Sequence, residues 1–229
     1  MKARLPYLLL AVAAVAAWWV SDHVLIPWVQ DLAGYRQIQD RDLSVLLGHW
    51  VFGQGPRVLL CVLVWVVAAR FGLMPSFLGS LGSGGSWARV VRTGLIASAI
   101  LLVVTVALGA AIGKFGFHPP WVKMAGDLLS NLYEEIVYRG LMLSAFYGLA
   151  AAAAFPLEGK LDRAGMIVGT VASCVIFAAS HEQYPVPLRV VLGVVSVVFA
   201  YPWLGARSLW APWIVHMLGD VVGDTILKI

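Results

Sequence analysis

Apolar residues fall along the chain in long runs, without the strict alternation of a half-buried strand or the single stripe of a soluble helix. The first run passes from Leu5 through Val20 and resumes at Val24, so Leu5 to Trp28 predicts a spanning helix. Lys2 and Arg4 ahead of it would suit a cleavable leader, but the run exceeds the roughly 7–15 apolar residues such leaders carry. Asp31 to Asp42 is polar and predicts a loop. Leu43 to Phe52 is too short to cross and predicts a short or interfacial helix, whereas Arg57 to Leu73 crosses. Met74 to Trp87 carries Gly79, Gly82, Gly84 and Gly85 among serines and reads as a flexible internal linker. Val90 to Ile112 crosses next, and the spacing of Gly109 and Gly113 allows close helix contact. Gly113 to Asp127, with Pro119 and Pro120, predicts a second loop. Helices are then expected at Leu128 to Phe155, Ala164 to His181, Pro187 to Leu204 and Ser208 to Leu227. The fold expected is all-α: one multi-pass transmembrane helical bundle over residues 1–229, with about seven spans plus a short extra helix.

Composition removes the soluble alternatives. The chain is 61% hydrophobic and 12% charged, against about 45–50% and about 25% in ordinary soluble domains. Its 16 Lys and Arg and 12 Asp and Glu are scattered singly, which argues against nucleic acid as a partner. Membrane lipids are the expected surroundings. Cys61 and Cys174 each lie inside an apolar run and read as small core residues, not as a disulfide or a metal pair. The basic residues divide almost evenly between the two sides of the predicted bundle, leaving orientation open.

From Leu128 onward polar residues stand inside the apolar runs, where they are costly and mark function. Asn131, Glu134, Glu135 and Arg139 share one helix. Glu135 and Arg139 are spaced for an ion pair on one face, while Glu134 projects about 100° away and is free to face a cavity as a general base. His181 ends the next helix, four residues after Phe177. His216, Asp220 and Asp224 follow one another at four-residue steps on the last helix, and Asp220 is placed to accept a hydrogen bond from the imidazole. Gly219 and Gly223 beside them would admit a neighbouring helix. His23, His49 and His118 lie near run ends or in the Pro-rich loop and read as interfacial.

Intramembrane chemistries can be tested by what each requires. His181-Glu182-Gln183-Tyr184-Pro185 opens like a zinc-protease HExxH helix, yet Pro185 stands where the second histidine must be and opposes the helix. Ser83 and Ser86, the serines nearest a nucleophile's role, lie in the linker. Gly219-Asp220 and Gly223-Asp224 resemble half of an aspartyl site, but the remaining intramembrane acids are glutamates.

A glutamate-led site with histidines remains. Glu134 to Arg139 fits EExxxR, Phe177 to His181 fits FxxxH and His216 to Asp220 fits HxxxN/D. In this order on separate helices, the three motifs resemble the type II CAAX prenyl protease and bacteriocin-processing (Abi, CPBP) family of intramembrane proteases, over about 128–220. The resemblance implies that Glu134, with His181, activates a water to attack a peptide carbonyl. Glu135, Arg139 and Phe177 would support the geometry, and His216 with residue 220 would stabilise the oxyanion. Many members carry asparagine where this chain has Asp220, which has no N–H to donate. Asp220 also makes Glu134, His181, His216 and Asp220 a conceivable set for a divalent metal such as zinc.

The function expected is therefore a glutamate-dependent, conceivably metal-dependent, intramembrane endopeptidase. Its substrate would be a peptide or protein: the family implies a prenylated C-terminal CAAX peptide in eukaryotes and archaea, with peptide maturation or immunity roles as the bacterial alternatives. The Ala-, Val- and Gly-rich composition reads as that of a bacterial cytoplasmic membrane protein. Two rivals are a non-catalytic scaffold or bacteriocin-immunity protein, in which the charges only fix packing, and a proton-coupled transporter, against which stands the lack of an internal repeat.

Overall fold

The computed structural model describes residues 3–33, 43–82, 86–113 and 121–226. These residues form eight helices and no strand. Helix α1 (5–33) contains a π-helical stretch, Ser21–Leu25. Helix α2 (43–70) contains another, His49–Gln54. A short α3 (Phe77–Ser80) and the long α4 (Trp87–Ile112) follow. Helix α5 (121–151) passes through a third π-helical stretch, Glu135–Met142. Helices α6 (Arg163–Ser180), α7 (Val186–Ala206) and α8 (Trp210–Ile226) complete the bundle.

Among the described residues, five helical segments are long and apolar enough to cross a membrane: Leu5–Leu32, Leu46–Arg70, Trp87–Ala111, Arg163–Ser180 and Val186–Ala206. Their outer faces expose Leu9, Leu63, Val103, Val175 and Val194, each more than half accessible. Such faces are stable only against lipid, and the chain is an integral, multi-pass membrane protein. Of the seven spans expected, the other two correspond to α5 and α8, two of the three helices that carry motifs. Helix α5 is interrupted by Asp127, Glu134, Glu135 and Arg139, and α8 has 17 residues.

Local signals set several helix ends. Ser86 and Asp162 cap α4 and α6 by accepting from the amides of Arg89 and Gly165. Gly113 ends α4 in the left-handed region at φ +66, with open space around it, so it caps a helix instead of seating a partner. The pattern misplaced three boundaries. Leu43 to Phe52 is no separate short helix, because the π-helical turn carries it straight into the rest of α2. The 74–87 connection holds α3, whose Ser80 is fully buried and whose carbonyl accepts from the Leu209 amide. Helix α5 starts at Trp121 and not at Leu128, and of the second loop residues 114–120, His118 included, lie outside the described residues.

The core is aromatic and closely fitted to small residues. Trp65, Phe155 and Trp203 pack on one another, Phe155 and Trp203 with ring centroids 5.1 Å apart. Gly140 and Gly148 on α5 receive the rings of Trp65 and Tyr7, and any side chain at either would overlap them. Gly169 on α6 lies so close to α5 that a Cβ would stand 2.7 Å from the Leu143 carbonyl oxygen. Gly219 receives Leu101 of α4 as its spacing suggested, whereas Gly223 faces open space. Cys61 and Cys174 are free and buried, as their surroundings implied.

Candidate active site

The site is assembled around the π-helical stretch of α5, all eight residues of which are buried. Its wider turn disturbs the i to i−4 ladder and leaves carbonyls for other donors. Ser173 of α6 donates to the Tyr138 carbonyl at 2.7 Å, and the Tyr138 hydroxyl donates to Ser180 at 2.8 Å, so α6 is pinned to the stretch at two points. Upstream, the indoles of Trp50 on α2 and Trp213 on α8 donate to the carbonyls of Ala125 and Leu128. Helix α5 is thus gripped on both sides of Glu134.

Glu135 is fully buried and faces Arg139 and His216. Its Oε2 lies 3.5 Å from Arg139 Nε, the ion pair its spacing predicted. Its Oε1 accepts from His216 Nδ1 at 2.8 Å, which fixes the ring with Nε2 toward Glu134 Oε2, 3.7 Å away. Arg139, also fully buried, donates from Nη2 to Ser196 on α7 at 2.8 Å. The guanidinium lies over the rings of Phe177 at 4.6 Å and Phe199 at 5.2 Å. A buried cation in this setting is balanced by one carboxylate, one hydroxyl and two aromatic faces.

Phe177 is the hub joining the motifs. Its carbonyl accepts from His181 Nδ1 at 2.7 Å, and because a carbonyl cannot donate, a proton is on Nδ1, which in the neutral ring leaves the lone pair on Nε2. Its ring meets His181 at 4.5 Å and His216 at 6.1 Å, while Phe199 stacks on His216 at 4.6 Å. The FxxxH spacing therefore serves two contacts at once: the carbonyl sets a tautomer, and the ring fills the space between two imidazoles and a guanidinium.

Glu134 stands apart from these pairings. Its side chain is 24% accessible, yet its Oε2 is buried and accepts no hydrogen bond. It interacts electrostatically with His216, His181, Asp220 and Glu135. Glu135 is thus the carboxylate that accepts a hydrogen bond from His216, and Glu134 Oε2 lies near the same ring without one.

Asp220 departs from the expectation. The hydrogen bond that orients His216 comes from Glu135 on another helix, and Asp220 instead accepts from Asn131 Nδ2 at 2.8 Å. Spacing within α8 could show that residues 216 and 220 share a face, but not which neighbour would reach them first. Ser196, Phe199, Ser173 and Tyr133 escaped the sequence reading because each acts across helices. The side chain of Asp224 lies outside the described residues.

A second polar cluster adjoins the site through Tyr133. Its hydroxyl donates to Asp22 at 3.2 Å and lies 2.8 Å from Ser21 Oγ, both in the π-helical stretch of α1. Asp22 pairs with Arg57 of α2 at 3.1 Å, and Arg57 lies over the Tyr133 ring. His49, expected to be interfacial, joins this group with its Nε2 3.5 Å from Gln54 Nε2.

Among the described residues, no three His, Cys, Asp or Glu side chains converge in a way that could hold a metal ion. The set Glu134, His181, His216 and Asp220 does not fit a metal as placed, and no step below is routed through one.

The fold and this centre define a membrane-embedded protein with a buried cluster of glutamate, histidine and arginine side chains. Residues 116–222, a segment that contains all three motifs, match the family model of the type II CAAX prenyl endopeptidase Rce1-like proteins, and this match supports the resemblance read from the motifs. No curated protein and no solved structure matches the chain.

Proposed function

We propose that the protein is an intramembrane endopeptidase that hydrolyses a peptide bond with a water activated by Glu134. The observation that carries this reading is the buried Oε2 of Glu134, which accepts no hydrogen bond and lies 3.7 Å from Nε2 of the oriented His216. A carboxylate oxygen kept free in a dry pocket suits a base that must hold a water. Glu134, with the Nε2 lone pair of His181, takes a proton from water as its oxygen bonds to the carbonyl carbon, and the π pair moves to the carbonyl oxygen. When that pair returns, the C–N bond breaks and the proton is delivered to the leaving amine. Glu135 and Arg139 do not meet the substrate: they hold His216, whose Nε2 side faces the reacting oxygen with residue 220.

Location fits this chemistry. Helix α6 has 18 residues, about 27 Å at 1.5 Å per residue, close to the thickness of the hydrocarbon core. His181 immediately follows its last residue, so one edge of the site stands near a membrane face, where a peptide can enter while a lipid chain stays in the bilayer. The family supports a substrate of the prenylated CAAX type, and the Ala-, Val- and Gly-rich composition supports a bacterial cytoplasmic membrane. Purified protein in detergent should cleave an internally quenched, farnesylated CAAX peptide, and Glu134→Gln should abolish cleavage while unfolding at the wild-type temperature. Full activity in Glu134→Gln would overturn the reading and favour a scaffold.

A further inference from the structure

We propose that Asn131 supplies the amide N–H of the oxyanion site and that Asp220 holds it there. The two residues thus divide between α5 and α8 a role that an asparagine at 220 would fill alone. The inference rests on the hydrolytic reading above and adds a residue that none of the three motifs contains.

Asn131 is 3% exposed, and its side chain faces α8. Carboxylate oxygens accept only, so the 2.8 Å contact with Asp220 Oδ2 orients the amide with nitrogen toward α8. The same nitrogen lies 3.3 Å from the Met217 sulfur. A thioether is a weak acceptor, so this second N–H is readily given up to a charged oxygen, for which a charge-assisted hydrogen bond is about twice as strong. Asn131 and Glu134 are three residues apart in the α-helical part of α5 and share a face. Asp220 interacts electrostatically with both Glu134 and His216. The donor therefore stands one turn from the base, in a buried setting where its dipole is fixed before reaction.

The pairing also answers the objection to Asp220 as an oxyanion residue. An ionised aspartate facing a developing negative charge would oppose it. With Asn131 between them, the aspartate's oxygen is occupied by the amide and its charge polarises the N–H toward the substrate. No proton is transferred here: the amide donates a hydrogen bond while the carbonyl π pair resides on oxygen and releases it when the C–N bond breaks.

The test uses the full-length protein and the quenched farnesylated peptide. Asn131→Ala should lower kcat by about 100-fold or more, the loss typical of removing one oxyanion donor, with KM within about twofold. Asn131→Asp, which sets two carboxylates face to face, should lose more. The exchange Asn131→Asp with Asp220→Asn returns a donor and an acceptor to the same gap and should recover most of kcat, a rescue that a purely structural role would not give. Binding of a farnesylated peptide phosphonate, which carries a tetrahedral anion, gives an arm independent of turnover and should weaken in Asn131→Ala with the folded fraction unchanged. If Glu134→Gln is inactive but Asn131→Ala keeps kcat and phosphonate affinity, this inference falls and the hydrolytic reading stands. Activity retained in Glu134→Gln, or a wild type that neither cleaves the peptide nor binds the phosphonate, overturns both.

Discussion

Arg139 offers the sharpest test of the site's electrostatics, because it is fully buried and faces Glu135, Ser196 and the rings of Phe177, Phe199 and Tyr138. Replacing it with Met keeps a long apolar stem in contact with Phe177 and Phe199 but removes the cation from Glu135 and the donor from Ser196. Leaving one member of a buried ion pair alone costs about 3–5 kcal/mol. The lost hydrogen bond and ring contacts belong to the same network and are contained in that figure, not added to it. In a chain of this size about 1 kcal/mol shifts the midpoint of unfolding by roughly 2–4 °C, so Arg139→Met should unfold roughly 6–20 °C below the wild type. The loss should be partly repaired in Arg139→Met with Glu135→Gln, since the second change removes the stranded charge while the new amide oxygen can still accept from His216 Nδ1. Thermal unfolding in detergent of the wild type, both singles and the double closes the cycle. A single mutant within 2 °C of the wild type, or a double no more stable than Arg139→Met, would refute the view that Glu135 is held as an ion by this guanidinium.

Other outcomes follow from packing and pairing. Gly140→Ala should cost at least about 1–3 kcal/mol in unfolding experiments, because the new methyl overlaps the buried Trp65 ring. Gly219→Leu should destabilise by displacing Leu101, whereas Gly223→Leu, with nothing within 4 Å, should unfold like the wild type; equal effects at both would contradict the helix contact. Ser173→Ala removes the donor to the Tyr138 carbonyl and leaves a buried acceptor open, so a loss of about 1–3 kcal/mol is expected. Incubation with a chelator should leave cleavage of the farnesylated peptide unchanged; activity lost to chelator and restored by zinc would show that the four candidate ligands rearrange to bind metal.

Residue spacing revealed those parts of the site that depend on one helix. Glu135 and Arg139 lie four apart and pair as expected, and Phe177 and His181 meet through the carbonyl their spacing allows. Spacing failed where two helices compete for one side chain. His216 and Asp220 share a face, yet Glu135 reaches the imidazole and Asn131 reaches the carboxylate. The Asp22–Arg57 pair joins residues of different helices and has no local signature. Boundaries failed for a related reason: three helices pass through π-helical turns at polar residues, Ser21, His49 and Glu135, where a 3.6-residue period predicts either a break or an uninterrupted helix.

The π-helical stretch of α5 also bears on how this protein can evolve. Deleting one residue between Glu135 and Met142 would let α5 close into ordinary α-helix, regaining regular backbone bonding while turning every upstream side chain by about 100°. Asn131 and Glu134 would then rotate away from Asp220 and His216. Selection for heat resistance alone would favour such a deletion, and its survivors should be sturdier proteins whose α5 carboxylate and amide no longer meet α8.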